Sequence, residues 1–263
     1  MCLILFAHKA HPDYPLVIAA NRDEAYARPT APAAFWEDNP RLYGGRDLAQ
    51  GGTWLGINRT GAIAALTNYR DRGATKNSSH SRGELVADYL RGHEHPVDYI
   101  ENVRRDANAY NGFNLLAGNI DELRYLSNRG GDPSRVAPGV HGLSNHLLDT
   151  PWPKVERGRR IVTELLQSPS QALIDSLFGV LAERIVAPDD ALPKTGVGLA
   201  RERVLSPAFI VSPAYGTRSS TVVLVDNHGE VVFIERSFGE RGAHEHTTTG
   251  RFALESAPTP AAV

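Results

Sequence analysis

Short apolar runs in this chain come in pairs, each pair joined by a turn rich in Gly, Pro, Asn or Asp, and the helical patterns fall between pairs rather than between single runs. That order constrains the fold more than any other feature. Residues 2–7 and 16–20 flank the turn-rich stretch 9–15, and residues 53–58 and 62–68 flank Arg59-Thr60-Gly61. Residues 114–119 and 122–128 turn at Asn119-Ile120-Asp121, and residues 221–225 and 231–236 turn at Asp226-Asn227-His228-Gly229. Each reads as a β-hairpin. Apolar spacings of three and four predict helices over 83–91, 97–108, 154–166 and 170–184, the first opened by a capping-box pattern at Ser81 and Glu84. A single strand is expected at 208–211, and the proline-rich stretch 29–40 reads as an irregular loop. Strands, helices, strands, helices, strands is not βαβ alternation. The expectation is an α+β fold, two antiparallel sheets with helices outside, formed by a single domain over 1–241. The Ala-, Pro- and Thr-rich stretch 242–263 is expected to be a disordered tail.

Composition narrows the function classes. The 263 residues are 41% hydrophobic and 22% charged, the balance of a soluble globular chain. A formal net charge of −2 gives no bulk reason to bind nucleic acid. The cluster Arg157, Arg159 and Arg160 reads as a solvated helix face. The apolar opening is only seven residues long before His8, Lys9 and His11, which does not fit a signal peptide, and no run reaches the roughly 20 apolar residues of a membrane span. A cytoplasmic protein with no stable membrane insertion is expected.

The only cysteine is residue 2. An isolated cysteine in a strand is ordinarily a small buried hydrophobe. Position 2 changes that reading, because removal of Met1 leaves Cys2 with a free α-amine. An amine with a pKa of about 8 can take the thiol proton near neutral pH, which is the N-terminal variant of nucleophilic catalysis with sulfur as nucleophile. The first hairpin brings Asn21-Arg22-Asp23-Glu24 to the start of the first strand. Asp23 there would hold the α-ammonium, and Arg22 would lower the thiol pKa or bind a substrate carboxylate. Trp54, with Phe35, Trp36 and Tyr69, offers apolar lining for a pocket, although core is the commoner fate of aromatics.

Several motifs carry a specific resemblance. Met1-Cys2, Asn21 to Glu24, Gly51-Gly-Thr-Trp-Leu-Gly-Ile-Asn58, Thr67-Asn-Tyr-Arg70 and Ser81-Arg-Gly-Glu84 are similar to those of the NRDE family, the transport and Golgi organisation protein 2 family. So are Asn111-Gly-Phe-Asn-Leu-Leu116, Gly142-Leu-Ser-Asn145 with Trp152-Pro-Lys154, and Gly216-Thr-Arg-Ser-Ser-Thr221. The matches run in order over about residues 1–238. That family in turn resembles the Cys-type N-terminal-nucleophile (Ntn) hydrolases, such as bile salt hydrolase and penicillin V acylase. The resemblance implies a four-layer αββα sandwich and a catalytic set of Cys2, Asp23, Asn145 as oxyanion donor, Arg22 and Arg218, with Asn21, Asn68 and Trp54 binding substrate. The hydrolases carry Arg-Asn-x-Asp after the first hairpin. This chain has Ala20 in place of the arginine, and Arg22 is one candidate to supply that charge from a shifted position.

The resemblance thus implies hydrolysis of a small linear amide with no required cofactor. Its alternative is non-catalytic handling of haem, or of lipid or acyl-CoA, as a trafficking protein; Cys2 and the ten histidines offer candidate axial ligands, of which His8, His11 and His146 are expected near the site. The pairs His93-x-His95 and His244-x-His246 lack a third ligand at convincing spacing, so no metal site is expected.

Overall fold

The first hairpin sets the layering. The computed structural model describes residues 2–70, 80–167 and 172–255. Strand β1 (Cys2–His8) pairs antiparallel with β2 (Leu16–Ala25), Cys2 facing Arg22 and His8 facing Leu16 across the ladder. Successive side chains on a strand point to opposite faces. Leu3, Leu5, Ala7, Val17 and Ala19 accordingly join one apolar cluster, and Ile4, Phe6, Leu16, Ile18 and Ala20 join another. With both faces covered, these strands read as unbroken apolar runs rather than as alternating ones.

The odd-numbered β1 residues pack on helices α3 (Pro153–Leu165) and α4 (Leu173–Leu181) through Val155, Val162 and Leu177. The even-numbered ones meet a second sheet. That sheet has seven strands: β3 (Thr30–Trp36), β4 (Asn39–Asp47), β5 (Leu55–Asn58), β6 (Ile63–Asn68), β7 (Phe113–Gly118), β8 (Leu123–Ser127) and β9 (Ser134–Arg135), paired in chain order. Its outer face is covered by α1 (Arg82–Arg91) and α2 (Pro96–Asp106) through Leu85, Val86, Tyr89 and Ile100. The first sheet is completed by β10 (Gly139–Leu143), β11 (Tyr215–Val225), β12 (Glu230–Phe238) and β13 (His244–Ala253), in the order β10-β1-β2-β11-β12-β13. All pairings are antiparallel. The result is the expected αββα sandwich. Gly61 (φ +83°) and Gly229 (φ +79°) supply the left-handed residues in two of the hairpin turns.

Several expectations are corrected. The stretch 29–40 is not an irregular loop, because β3 and β4 occupy most of it. Its proline Pro32 is tolerated because β3 is an edge strand and Pro32 lies in the register gap between Ala31 and Ala34, where no ladder N–H is needed. Residues 208–211 form no strand; Val211 makes only an isolated bridge to Gly216. Residues 244–253 are not a disordered tail but strand β13, laddered to β12 from Glu230–Ala253 to Phe238–His244. Residues 256–263 of that expected tail, residues 170–171 of the expected fourth helix, and Met1 lie outside the described residues. Strands β9 and β10 and helix α5 (Leu199–Leu205) were not anticipated. Helix α1 begins where its pattern indicates, but Ser81 makes no side-chain capping bond. No helix among the described residues is long and apolar enough to cross a membrane.

Candidate functional site

Cys2 heads β1 at one end of the sandwich. Strand β2 does not stop at the apolar run; it continues through Asn21-Arg22-Asp23-Glu24 to Ala25, so these four residues alternate in direction instead of forming a turn. Their partner β11 carries a bulge between Thr217 and Ser219, opposite Asp23 and Arg22. Bulges re-aim side chains at such positions. Around Cys2 opens a cleft of about 240 Å³, lined by Arg22, Asp23, Glu24, Trp54, Asn68 and others from the β4–β5 turn and the start of α1.

The cysteine is partly buried. Burial pushes its thiol above the ordinary range and the Asp23 carboxylate adds to that, while Arg22 and the Asp23 backbone amide work the other way. At neutral pH the group is therefore a thiol that needs a base. Arg22 is 5% exposed. Its NH1 donates to Thr30 Oγ1 at 3.0 Å, and its guanidinium lies 4.2 Å from the Trp54 ring centroid. Asp23 is buried, and its Oδ1 accepts from Thr217 Oγ1 at 2.8 Å. Tyr215 donates its hydroxyl to the Asp23 backbone carbonyl at 2.7 Å. Burial raises the Asp23 carboxyl pKa, and Lys154 partly offsets this.

A charged network behind the cleft went unassigned in the sequence. Lys154 at the start of α3 donates to the carbonyls of Leu205 (3.1 Å) and Pro207 (3.5 Å), and burial lowers its pKa to about 8. Arg70 pairs with Glu202 of α5 at 2.6 Å, with side-chain exposures of 5% and 4%. Glu202 also accepts from the Thr195 backbone N–H (3.1 Å) and hydroxyl (2.6 Å). Arg70 reaches Asn145 Oδ1 at 3.4 Å, and Asn145 Nδ2 donates to the Asn68 carbonyl at 2.9 Å. Arg70 and Lys154 each close a motif quoted above, Thr67 to Arg70 and Trp152 to Lys154, but a motif does not say which side chain meets which. Glu202 lies in no such motif.

The predicted site residues separate into two groups. Cys2, Arg22, Asp23, Asn68 and Trp54 come together around the cleft. Asn145, Asn21 and Arg218 do not line it. Asn145 has no exposed surface, and its Nδ2 donates to the Asn68 carbonyl. Asn21 points to the helical side, donating to the carbonyls of Leu181 and Ala208 (both 2.8 Å) and accepting from Ser220 Oγ (2.6 Å). Arg218 ties the chain after β2 in place, its NH1 donating to the carbonyls of Ala25 (3.0 Å), Tyr26 (2.9 Å) and Arg28 (3.1 Å). It lines a second, small cavity of about 40 Å³ that has Arg22 and Trp54 in common with the cleft.

The histidines named for haem are also elsewhere. His8 is buried at the far end of β1, 3.1 Å from the Ile120 carbonyl. His11 sits in the first hairpin turn, where its Nδ1 accepts from the Asp13 backbone N–H at 3.0 Å. His146 is held by Thr150 Oγ1 at 2.9 Å and packs between Tyr69 and Trp152. Among the described residues, His80 is the histidine that lines the cleft. Phe35 and Trp36 serve the core, Trp36 donating its indole N–H to the Gly44 carbonyl at 3.0 Å.

Two antiparallel sheets face to face with helices on both outer faces form a four-layer sandwich of the Ntn-hydrolase type of fold. The same fold is seen in the C2A mutant of conjugated bile acid hydrolase from Clostridium perfringens, with a TM-score of 0.52, 8% identity, and coverage of 97% of this chain and 92% of that one. The chain belongs to the Transport and Golgi organisation 2 family, whose model matches residues 1–240. It is 40% identical to the Transport and Golgi organization protein 2 homolog of Bos taurus, over 97% of this chain and 100% of that protein. Identity to the Homo sapiens homolog is 38% with the same coverage. Identity to the Drosophila melanogaster protein is 31%, over 90% of this chain and 92% of that one.

Proposed function

We propose that this protein hydrolyses a small linear amide, with Cys2 as the nucleophile once Met1 has been removed. The observation that carries the reading is the placement of Cys2 on the wall of a polar cleft between Arg22 and Asp23, at the head of an inner strand of an Ntn-like sandwich. The raised thiol pKa makes a base necessary, and the freed α-amine is in reach by covalent geometry. The amine takes the thiol proton as Sγ attacks the amide carbonyl carbon. The C–N bond then breaks, and the ammonium returns that proton to the leaving amine. Water attacks the thioester, giving a proton to the α-amine; the C–S bond breaks, and the thiolate recovers the proton. Asp23 supplies the negative charge that steadies the ammonium. Asn68, held through its carbonyl by Asn145, lines the cleft and serves as oxyanion donor. One such donor is worth about 100–1,000-fold in kcat.

The cleft favours this reading over haem or acyl-CoA. Its volume of about 240 Å³ falls below the roughly 300–1,000 Å³ of sites for drug-sized ligands, and His8, His11 and His146 lie away from it. Offering a panel of short N-acyl amides to the Met1-free protein and following products by mass spectrometry tests the proposal. Turnover is expected from the processed chain and none from Cys2→Ala or from a form that keeps Met1. Undiminished turnover by Cys2→Ala would overturn it. A haem titration that shifts the Soret band in wild type but not in His80→Ala would instead support the haem alternative.

A further inference from the structure

We propose that the ligand of the Cys2 cleft carries a carboxylate close to its amide, seated on Arg22, so that the substrate class is a short N-acyl amino acid. The chemistry at Cys2 rests on the function proposed above; the carboxylate seat rests on Arg22 alone. A guanidinium has five N–H donors in a planar fork. Arg22 is 5% exposed, yet its one side-chain hydrogen bond among the described residues goes to a neutral hydroxyl, Thr30 Oγ1. It forms no ion pair there. Arginines buried to this degree are ordinarily paired.

The neighbouring charges are accounted for. Arg28 is taken by Asp47, with Nε at 2.9 Å and NH2 at 2.6 Å from Oδ2. Arg82 donates to the Gly112 carbonyl at 3.0 Å. Glu24 accepts from the Ala25 backbone N–H at 2.8 Å. Glu235, on the small cavity behind Arg22, accepts from the Ala33 backbone N–H at 2.8 Å and from Thr221 Oγ1 at 3.4 Å. Burial raises its carboxyl pKa, while these hydrogen bonds and the charge of Arg22 work the other way.

Geometry turns this surplus charge into a seat. The guanidinium carbon lies 4.2 Å from the Trp54 ring centroid, and the N–H donors not taken by Thr30 suit bidentate pairing with a carboxylate. Cys2 and Arg22 are direct cross-strand neighbours, with Cβ atoms about 5 Å apart in such a pair. A carboxylate on Arg22 and an amide carbonyl at Cys2 Sγ can therefore belong to one small molecule, with one or two carbons between carboxylate and amide nitrogen.

The rival role for Arg22 is to stabilise the thiolate alone, and protection of the thiol separates the two. Cys2 is the only cysteine, so the intact mass of the full chain after iodoacetamide treatment reads that residue directly. N-Acetylglycine is expected to slow alkylation saturably, while the neutral N-ethylacetamide does not. Arg22→Lys keeps the charge but loses the fork, and is expected to weaken N-acetylglycine protection about tenfold or more. Equal protection by the two amides in wild type, a comparison that needs no variant to fold, would overturn the seat. So would protection that persists in Arg22→Lys or Arg22→Gln while only the pH profile of alkylation moves. Protection without amide turnover would keep the seat and remove hydrolysis. Turnover of neutral and anionic amides at equal kcat/KM would keep hydrolysis and remove the seat.

Discussion

Alternation along one strand divides the Asn21-Arg22-Asp23 signature between different tasks. Asn21 secures the chain after α4, Arg22 enters the cleft, and Asp23 borders both the cleft and the Lys154 network. Lys154 lends itself to a prediction at this scale. Its pKa falls from an ordinary 10.5 to about 8 in the folded protein because burial penalises the ammonium. Between those values the unfolded chain binds the proton that the folded chain releases, so this residue makes stability rise as pH increases from about 8 to about 10.5. Below about 8 both states are charged and its contribution is flat. Urea unfolding at several pH values is the check: wild type should gain stability relative to Lys154→Met across that window. Parallel curves would show that the amine is not desolvated as described.

Among the elements, the seven-residue α5 has an effect beyond its length. Its Glu202 anchors Arg70, which reaches Asn145, which holds Asn68 at the cleft. Breaking a buried pair by removing one partner leaves a charge uncompensated, at a cost of about 3–5 kcal/mol. Glu202→Ala should therefore lower unfolding free energy by roughly that amount in chemical denaturation, and a change within 1 kcal/mol would contradict the buried pair. The Gly52–Gly83 contact works at the same scale. A Cβ at Gly52 would lie 2.4 Å from the Gly83 carbonyl carbon, so the β4–β5 turn approaches the start of α1 as closely as it does only without a side chain. Gly83 and Thr53 both line the cleft. Gly52→Ala is expected to destabilise by roughly 1–3 kcal/mol, the range for overpacking, and to alter the rate of Cys2 alkylation; an unchanged thermal midpoint and rate would refute this.

At the scale of the molecule, the core lies between two sheets whose strands come from distant parts of the chain. The sheet holding Cys2 draws β10 from mid-chain and β11 to β13 from the last fifth. Strand β13 covers the edge of β12 and contributes Phe252 to the inter-sheet core beside Tyr43 and Phe233. Truncation after residue 243 should leave β12 as a long exposed edge, lowering the melting temperature and promoting self-association. Light scattering and calorimetry of the truncated chain check this, and a monomer with unaltered melting would argue that β13 adds nothing.

The hairpins, the two helical pairs, the antiparallel character of the sheets and the approach of Arg22 and Asp23 to Cys2 were legible in the sequence. Those features follow from local periodicity, turn chemistry and position in the chain. The remaining features depend on contacts between distant segments. Tertiary structure made a strand of the proline-bearing stretch 30–36, because a sheet edge does not need every N–H. It made β13 out of a polar segment, because ladder hydrogen bonds to β12 outweigh its composition. It also engaged Asn145 and Arg218 with backbone carbonyls rather than with the cleft wall, because the partner a polar side chain meets can lie up to about 190 residues away.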